Sequence, residues 1–465
     1  SMISIGLKIS GAAATVAADS TSNITLNPRK NRVWVKSETG VSNITNSNLD
    51  HCDSVSPADC ANVPYFVTSG VLTVEDGVEI HIESGKTFAP GGNVSVPNLH
   101  VVGTYTGVTG GTETLTLRGS GTGACSTDPG TIRPLCIDGG TFTASETTVF
   151  TGTATSNIEA TTFEDLVASR SGTTFQTMTG TATLNDQLTV KSGTILTLAT
   201  NNSTMTVANT ASVSGTFTSG TGAKTFSGDF ILENGGTYTG ATSVATTKFR
   251  GANANIKAST TWTENSEAIT FDRGGGLTTT WTDSNSTKQD MGAVTISANG
   301  GNTTVNLGSS VKATAVHINS SQTLSANGSN TLTLLGNGTS LNVNGTFTPS
   351  TGTVEYVPDA ATGVTLASIS YNNLTLNKTS NTFSADGNMT ISGSSTPFVI
   401  TAGTFDAGTF IFTYDSTSAT NITAATYYNL TLAPSGAGGP TYTLGTDTGQ
   451  TITVSNDLTV GGANA

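Results

Sequence analysis

Apolar and polar residues alternate in short runs along most of the chain, as in Val78-Glu79-Ile80-His81-Ile82-Glu83 and Thr331-Leu332-Thr333-Leu334. A period of two marks a strand with one dry and one wet face, and helical periodicity is almost absent. The runs end in Gly, Asn, Asp or Ser, which supply the left-handed corners where a chain turns sharply. This pattern predicts a chain made almost wholly of short strands and tight turns.

The runs also repeat. Thr261-Trp262-Thr263-Glu264-Asn265-Ser266 returns nineteen residues later as Thr280-Trp281-Thr282-Asp283-Ser284-Asn285. A unit of that length suits one coil of a solenoid. Gly-Thr-Phe or Gly-Thr-Tyr begins at Gly103, Gly140, Gly215, Gly236, Gly345 and Gly403, as if marking one corner of successive coils. A longer module, Tyr371-Asn372-Asn373-Leu374-Thr375-Leu376, recurs as Tyr427-Tyr428-Asn429-Leu430-Thr431-Leu432, and Phe163-Glu164-Asp165-Leu166 is a fainter copy. Apolar residues two apart point into the coil and the intervening Thr points out, so stacked coils build one continuous core. The expected fold is all-β: a right-handed parallel β-solenoid with coils of about 19–20 residues, right-handed because parallel crossovers take that sense. Some 20 coils spaced about 4.8 Å apart would make a rod on the order of 100 Å long.

Proline placement divides the chain. Seven of the twelve prolines, all four cysteines and three of the four histidines precede residue 137, and no proline lies between Pro134 and Pro349. Proline cannot donate to a ladder, so residues 1–145 are expected to be a less regular solenoid region with capping and disulfide-pinned loops, and residues 146–465 a regular β-solenoid.

Composition narrows the function classes. Charged residues are only 11% of the chain, against about 25% in ordinary soluble proteins, so solubility rests on Thr, Ser and Asn. A net charge of -13 repels phosphate backbones and anionic lipid, which argues against nucleic acid as a partner. The short basic cluster Arg29, Lys30, Arg32 and Lys36 reads as a solvated face. No apolar run approaches the ~20 residues of a spanning helix, so no membrane insertion is expected, and the whole reads as part of a longer protein. Cys52 lies near Cys60 and Cys125 near Cys136, with no Cys-x-x-Cys zinc spacing. Two local disulfides are the simplest account, ahead of free thiols and the two other connectivities, and they fit export to the cell surface or extracellular space.

The Tyr-x-Asn-Leu-Thr-Leu units, the Gly-Thr-Phe turns and pieces such as Asp457-Leu458-Thr459-Val460-Gly461-Gly462 resemble the repeat regions of large bacterial cell-surface proteins of the β-helix, adhesin-like type. The similarity covers most of residues 70 to 465. It implies surface attachment, adhesion or display, with no cofactor and no catalytic residues to carry over.

Motifs for nucleophilic, phosphate-binding, zinc or calcium chemistry are not found, and His51, His81, His100 and His317 read as surface or turn residues. Glu79, His81 and Glu83 share one strand face and could hold a metal, but a wet polar face is the commoner meaning of that pattern. No metal site is therefore assigned. The candidate binding site is the Trp repeat. A nineteen-residue coil would stack Trp262 on Trp281 and Glu264 on Asp283, and two stacked carboxylates cannot be buried without a partner. The favoured account is a bend after Thr263 that places the indoles in the core and the acids in a loop; if alternation holds instead, parity turns the indoles outward as a platform for sugar rings. The favoured function is a non-catalytic structural or adhesive rod. Its partners would be a cell-surface or extracellular glycan or protein, or further copies of itself. A polysaccharide-binding or polysaccharide-cleaving β-helix, acting as a lyase or glycoside hydrolase, is the runner-up. Ice or mineral binding by Thr arrays such as Thr204-Met205-Thr206 is a minor alternative.

Overall fold

The computed structural model describes residues 71–125 and 133–435 apart from positions 75 and 83, then 439–445 and 450–461. Before residue 71 it describes the backbone of four short strands, Leu7–Lys8, Arg32–Val35, Asn43–Ile44 and Tyr65–Thr68. Cys52, Cys60, His51 and Glu83 lie outside the described residues.

The described residues form strands and turns with no helix, as the period-two pattern predicts. Apart from a hairpin between Tyr65–Thr68 and Val71–Val74, the strands pair in parallel with strands of the coils before and after, which makes the fold a β-solenoid. A coil has three short strands on three faces. Asn253–Ile256, Thr261–Thr263 and Glu267–Phe271 are one such set, and Leu277–Asp283 then returns to pair with Asn253–Ile256.

Coil length departs from the expected 19–20 residues. Phe175, Leu196, Phe217 and Tyr238 stack in register at steps of 21 residues, whereas Trp281 lies 27 beyond its partner Ala254 and Thr147 lies 33 beyond Thr114. Parallel pairing constrains only the three or four residues of each strand. The corners absorb insertions freely, because extra surface loop carries only a slowly growing closure entropy.

Two compact units are formed: Ser1–Lys224 with Gly235–Ala241, and Thr225–Asn234 with Thr242–Ala465. Residue 145 falls inside the first. That unit's core is built from inward columns, one residue per coil. Val96, Leu117, Phe150, Ala168, Val190 and Val213 form one such column, each paired with the next and all buried. In the second unit Leu332, Val354, Leu374 and Phe398 do the same. Large residues sit against small ones, Phe150 beside Ala168 and Trp281 beside Ala254, which lets successive coils interdigitate. Each such Leu, Val or Phe contributes about 1.5–3 kcal/mol by leaving water.

Four of the six Gly-Thr-aromatic elements stack in two pairs, whereas Gly403 lies inside Phe398–Asp406. Thr216 and Phe217 pair with Thr237 and Tyr238, and Thr104 and Tyr105 pair with Thr141 and Phe142. A Cβ at Gly215 would stand 2.3 Å from the carbonyl oxygens of both Lys191 and Thr194. Glycine is required there by close backbone approach. The Tyr-x-Asn-Leu module has a structural meaning too: Tyr371, Leu374 and Leu376 are buried, as are Tyr427, Leu430 and Leu432, while the Asn residues face outward at the corner.

Candidate functional site

The Trp repeat takes the core alternative and forms no sugar-binding platform. Trp262 is centred in Thr261–Thr263 and Trp281 lies in Leu277–Asp283, so the two occupy different faces of the solenoid and do not stack. Nineteen residues here carry the chain from one face to another rather than through a full coil. Both indoles are core residues. Trp262 packs edge-on to Phe230 at 6.2 Å between centroids, and Trp281 lies 5.6 Å from Phe271. Phe249 joins the two groups, 6.4 Å from Trp262 and 5.7 Å from Phe271.

Parity along Leu277–Asp283 holds all the same. Asp283 follows Trp281 inward and is fully buried, because one carboxylate can be buried when enough N–H groups point at it. Its Oδ1 accepts from the backbone N–H and the Nδ2 of Asn285, each at 2.9 Å, and its Oδ2 accepts from the backbone N–H of Gln289. The Asp283 and Asn285 carbonyls in turn accept from Lys288 Nζ. Asp283 thus closes a corner of the fold and faces no cleft. Glu264 sits half-buried at the corner after Thr263, beside Gly292, where a Cβ would press on its Cγ at 2.6 Å. Burial raises its carboxyl above the usual range. Its own backbone N–H opposes the shift, nearby Asp290 and Asp359 add to it, and Lys312 works against it. Glu264 and Asp283 are therefore not a stacked pair.

Asp272 and Arg273, adjacent in sequence, also separate. Asp272 is buried and receives a two-pronged bond from Arg250, Nε to Oδ1 and Nη2 to Oδ2 at 2.9 Å each, with Lys248 at 3.5 Å. Arg273 instead donates to the Thr278 carbonyl.

The histidine reading changes most. His81 and His100 are buried, not surface or turn residues. The strand Glu79–Ile82 pairs with Asn98–Val101 so that His81 stands directly opposite His100, and Leu135–Ile137 continues the sheet with Cys136 opposite His100. All four residues of Glu79–Ile82 are buried, so both faces of this strand are covered and the wet-face premise fails. Cys136 is bonded to Cys125, as expected for the second local pair. Beside it, the Arg133 carbonyl accepts from Asn98 Nδ2 and the Arg133 guanidinium pairs with Glu159. Glu79 Oε1, His81 Nδ1 and His100 Nδ1 form a triangle with sides of 3.5, 3.4 and 3.2 Å. On the far side of the His100 ring, Nε2 lies 3.6 Å from Asp138 Oδ2. The signal that could have found this group is the coil period itself: two histidines nineteen residues apart in a chain read as nineteen-residue coils.

A second acidic group, Glu146, Asp165 and Asp186, runs along successive corners, half-buried. Each has a donor of its own: Gly110 N–H on Glu146, Gln187 N–H on Asp165 and Asn209 Nδ2 on Asp186. Burial pushes the Asp165 carboxyl up, the Gln187 bond opposes it, and the neighbouring Asp186 and Glu146 add to the rise.

An open concavity of about 350 Å³ lies beside the Asn372–Asn373 corner. Asn372, Asn373, Ser392, Ser394, Ser416 and Thr417 line it, with no carboxylate, imidazole or ammonium group among its lining residues.

Fold and sites together define a disulfide-bearing parallel β-solenoid with a buried polar cluster near its N-terminal end. The disulfide fits an oxidising, exported setting. No helix among the described residues is long and apolar enough to cross a membrane. Comparison with known proteins finds no matching family model, no matching curated protein and no matching solved structure.

Proposed function

We propose that this chain is an exported solenoid of the bacterial cell surface with a structural or adhesive role, engaging an extracellular glycan or protein, or further copies of itself, without catalysing a reaction. The observation that carries this reading is the chemistry of the concavity beside Asn372. Amides and hydroxyls there can exchange hydrogen bonds with sugar hydroxyls or with a polar protein surface. General acid–base catalysis needs a titratable group held in reach of the scissile bond, and that lining supplies none. The burial of Trp262 and Trp281 in the core and the engagement of Asp283 by the backbone support the same reading over a glycan-cleaving one. The adhesin-like resemblance and the disulfide support export.

The test is a panel of polysaccharides and extracellular proteins offered to the recombinant protein, read both for retention and for sugar release. Retention without release is the expected result, and filling the concavity with Ser394→Trp is expected to lower it at least tenfold. Release of oligosaccharides that persists on further purification would overturn the non-catalytic reading.

A further inference from the structure

We propose that Glu79, His81 and His100 form a binding site for a divalent transition-metal ion of the zinc class, clipping two successive coils together. The inference is independent of the surface role proposed above. It rests first on distance. Tetrahedral zinc with bonds of about 2.0–2.1 Å holds its donor atoms about 3.3–3.4 Å apart. The three donors here are 3.5, 3.4 and 3.2 Å apart, which is one face of such a tetrahedron. An ion seated about 0.7 Å off their plane would reach all three without moving them.

The donor types agree with the distances. Two imidazole nitrogens and one carboxylate oxygen suit zinc and its neighbours, whereas calcium and magnesium require oxygen-rich sets. Two Nδ1 atoms 3.2 Å apart, both facing one carboxylate oxygen, are also awkward for protons alone. At most one N–H can lie between the two rings, and protonating both would set two N–H groups against each other. An ion replaces that compromise with three bonds to lone pairs. The cluster is buried, at 2%, 7% and 1% exposure, so the attraction between a dication and the carboxylate would be little screened by solvent. Asp138 stands 3.6 Å from the outer nitrogen of His100, the place of the carboxylate that orients a metal-bound imidazole. Three protein donors leave the fourth position for water.

The site has a structural consequence. Glu79 and His81 belong to one coil and His100 to the next, so the ion would join what the sheet alone holds by a short ladder. Folding and metal binding would then be linked.

The experiment uses the full chain, stripped with chelator and titrated with zinc chloride by calorimetry, and in parallel with cobalt chloride by visible absorption. One zinc per chain is expected, with a dissociation constant at or below about 1 μM, a tetrahedral cobalt band, and a thermal midpoint raised by about 3 °C or more. His100→Ala and Glu79→Gln should abolish stoichiometric binding. Because those buried changes can perturb folding, Asp138→Asn, at a half-exposed position, is the second variant, and it should weaken zinc roughly 10–100-fold. His317→Ala should leave binding unchanged. Absence of stoichiometric zinc in the folded wild type would overturn the proposal, as would binding that survives His81→Ala with His100→Ala. An octahedral cobalt spectrum would overturn it too.

Discussion

At the scale of single residues, neighbours decide what a side chain does, and Trp281 shows this most clearly. It is 1% exposed, lies against Ala254 and Leu307 in the adjacent coils, and has Phe271 beside it. Removing its ring leaves a cavity that backbone ladders on both sides prevent from collapsing. Trp281→Ala is therefore expected to lower unfolding stability by about 3–5 kcal/mol in a denaturant titration and to leave ligand retention unchanged when measured on folded protein. Loss of retention with unchanged stability would mean that the indole faces a ligand. Asp283 makes the complementary point. Alternation along its strand was legible, but the three N–H donors that make its burial tolerable come from Asn285 and Gln289, beyond a turn that no periodicity describes.

At the scale of the element, the coil corner is the unit that the chain repeats. Glycine occurs at corners for two different reasons, and a pair of substitutions separates them. Gly215 has no room: its Cβ would meet two carbonyl oxygens at 2.3 Å, so Gly215→Ala must push adjacent coils apart, with an expected loss of about 1–3 kcal/mol or more. Gly77 has open space around it but a φ of 82°, so Gly77→Ala should cost only the left-handed strain, about 1–2 kcal/mol. Thermal unfolding of the two variants checks the order, and an equal or smaller loss at Gly215 would contradict the close-packed corner. The Gly-Thr-aromatic motif was readable because the steric demand recurs. The coil length was not, because corners that meet no such demand accept loops of any size.

At the scale of the whole molecule, the core is dry enough to hold phenols in their neutral form. Tyr356 bonds Tyr371 hydroxyl to hydroxyl at 3.3 Å and Tyr414 bonds Tyr427 at 3.1 Å, and Tyr371 and Tyr427 also reach the carbonyls of Ala367 and Thr423. Burial pushes Tyr356 and Tyr414 up to about 12, with the hydroxyl partner and a backbone bond opposing the rise. Tyr371 and Tyr427 are raised well above the ordinary value, first by burial and then by the paired phenol. An unfolded phenol ionises near 10, so the folded chain holds these protons where the unfolded chain releases them. Their contribution is complete below about pH 10 and is lost as the pH rises toward 12, each phenol giving up about 1.4 kcal/mol per pH unit across that window. Phenolate absorbance and circular dichroism should therefore change together there. Phenolate formation by these residues near pH 10 with the fold intact would contradict their burial.

The sequence by itself determined the local grammar of this protein: period-two strands, corners of Gly and Asn, a core of inward Leu, Val and Phe, and the local Cys125–Cys136 bridge. These are properties of a few consecutive residues, set by backbone sterics and by which face of a strand is dry. The tertiary structure alone decided which strand lies on which. Register depends on parallel pairing across 17 to 47 residues, and the length of each corner sets which residue the next strand brings opposite its partner. That is why Trp262 and Trp281, nineteen apart, fall on different faces, while His81 and His100, also nineteen apart, meet side by side.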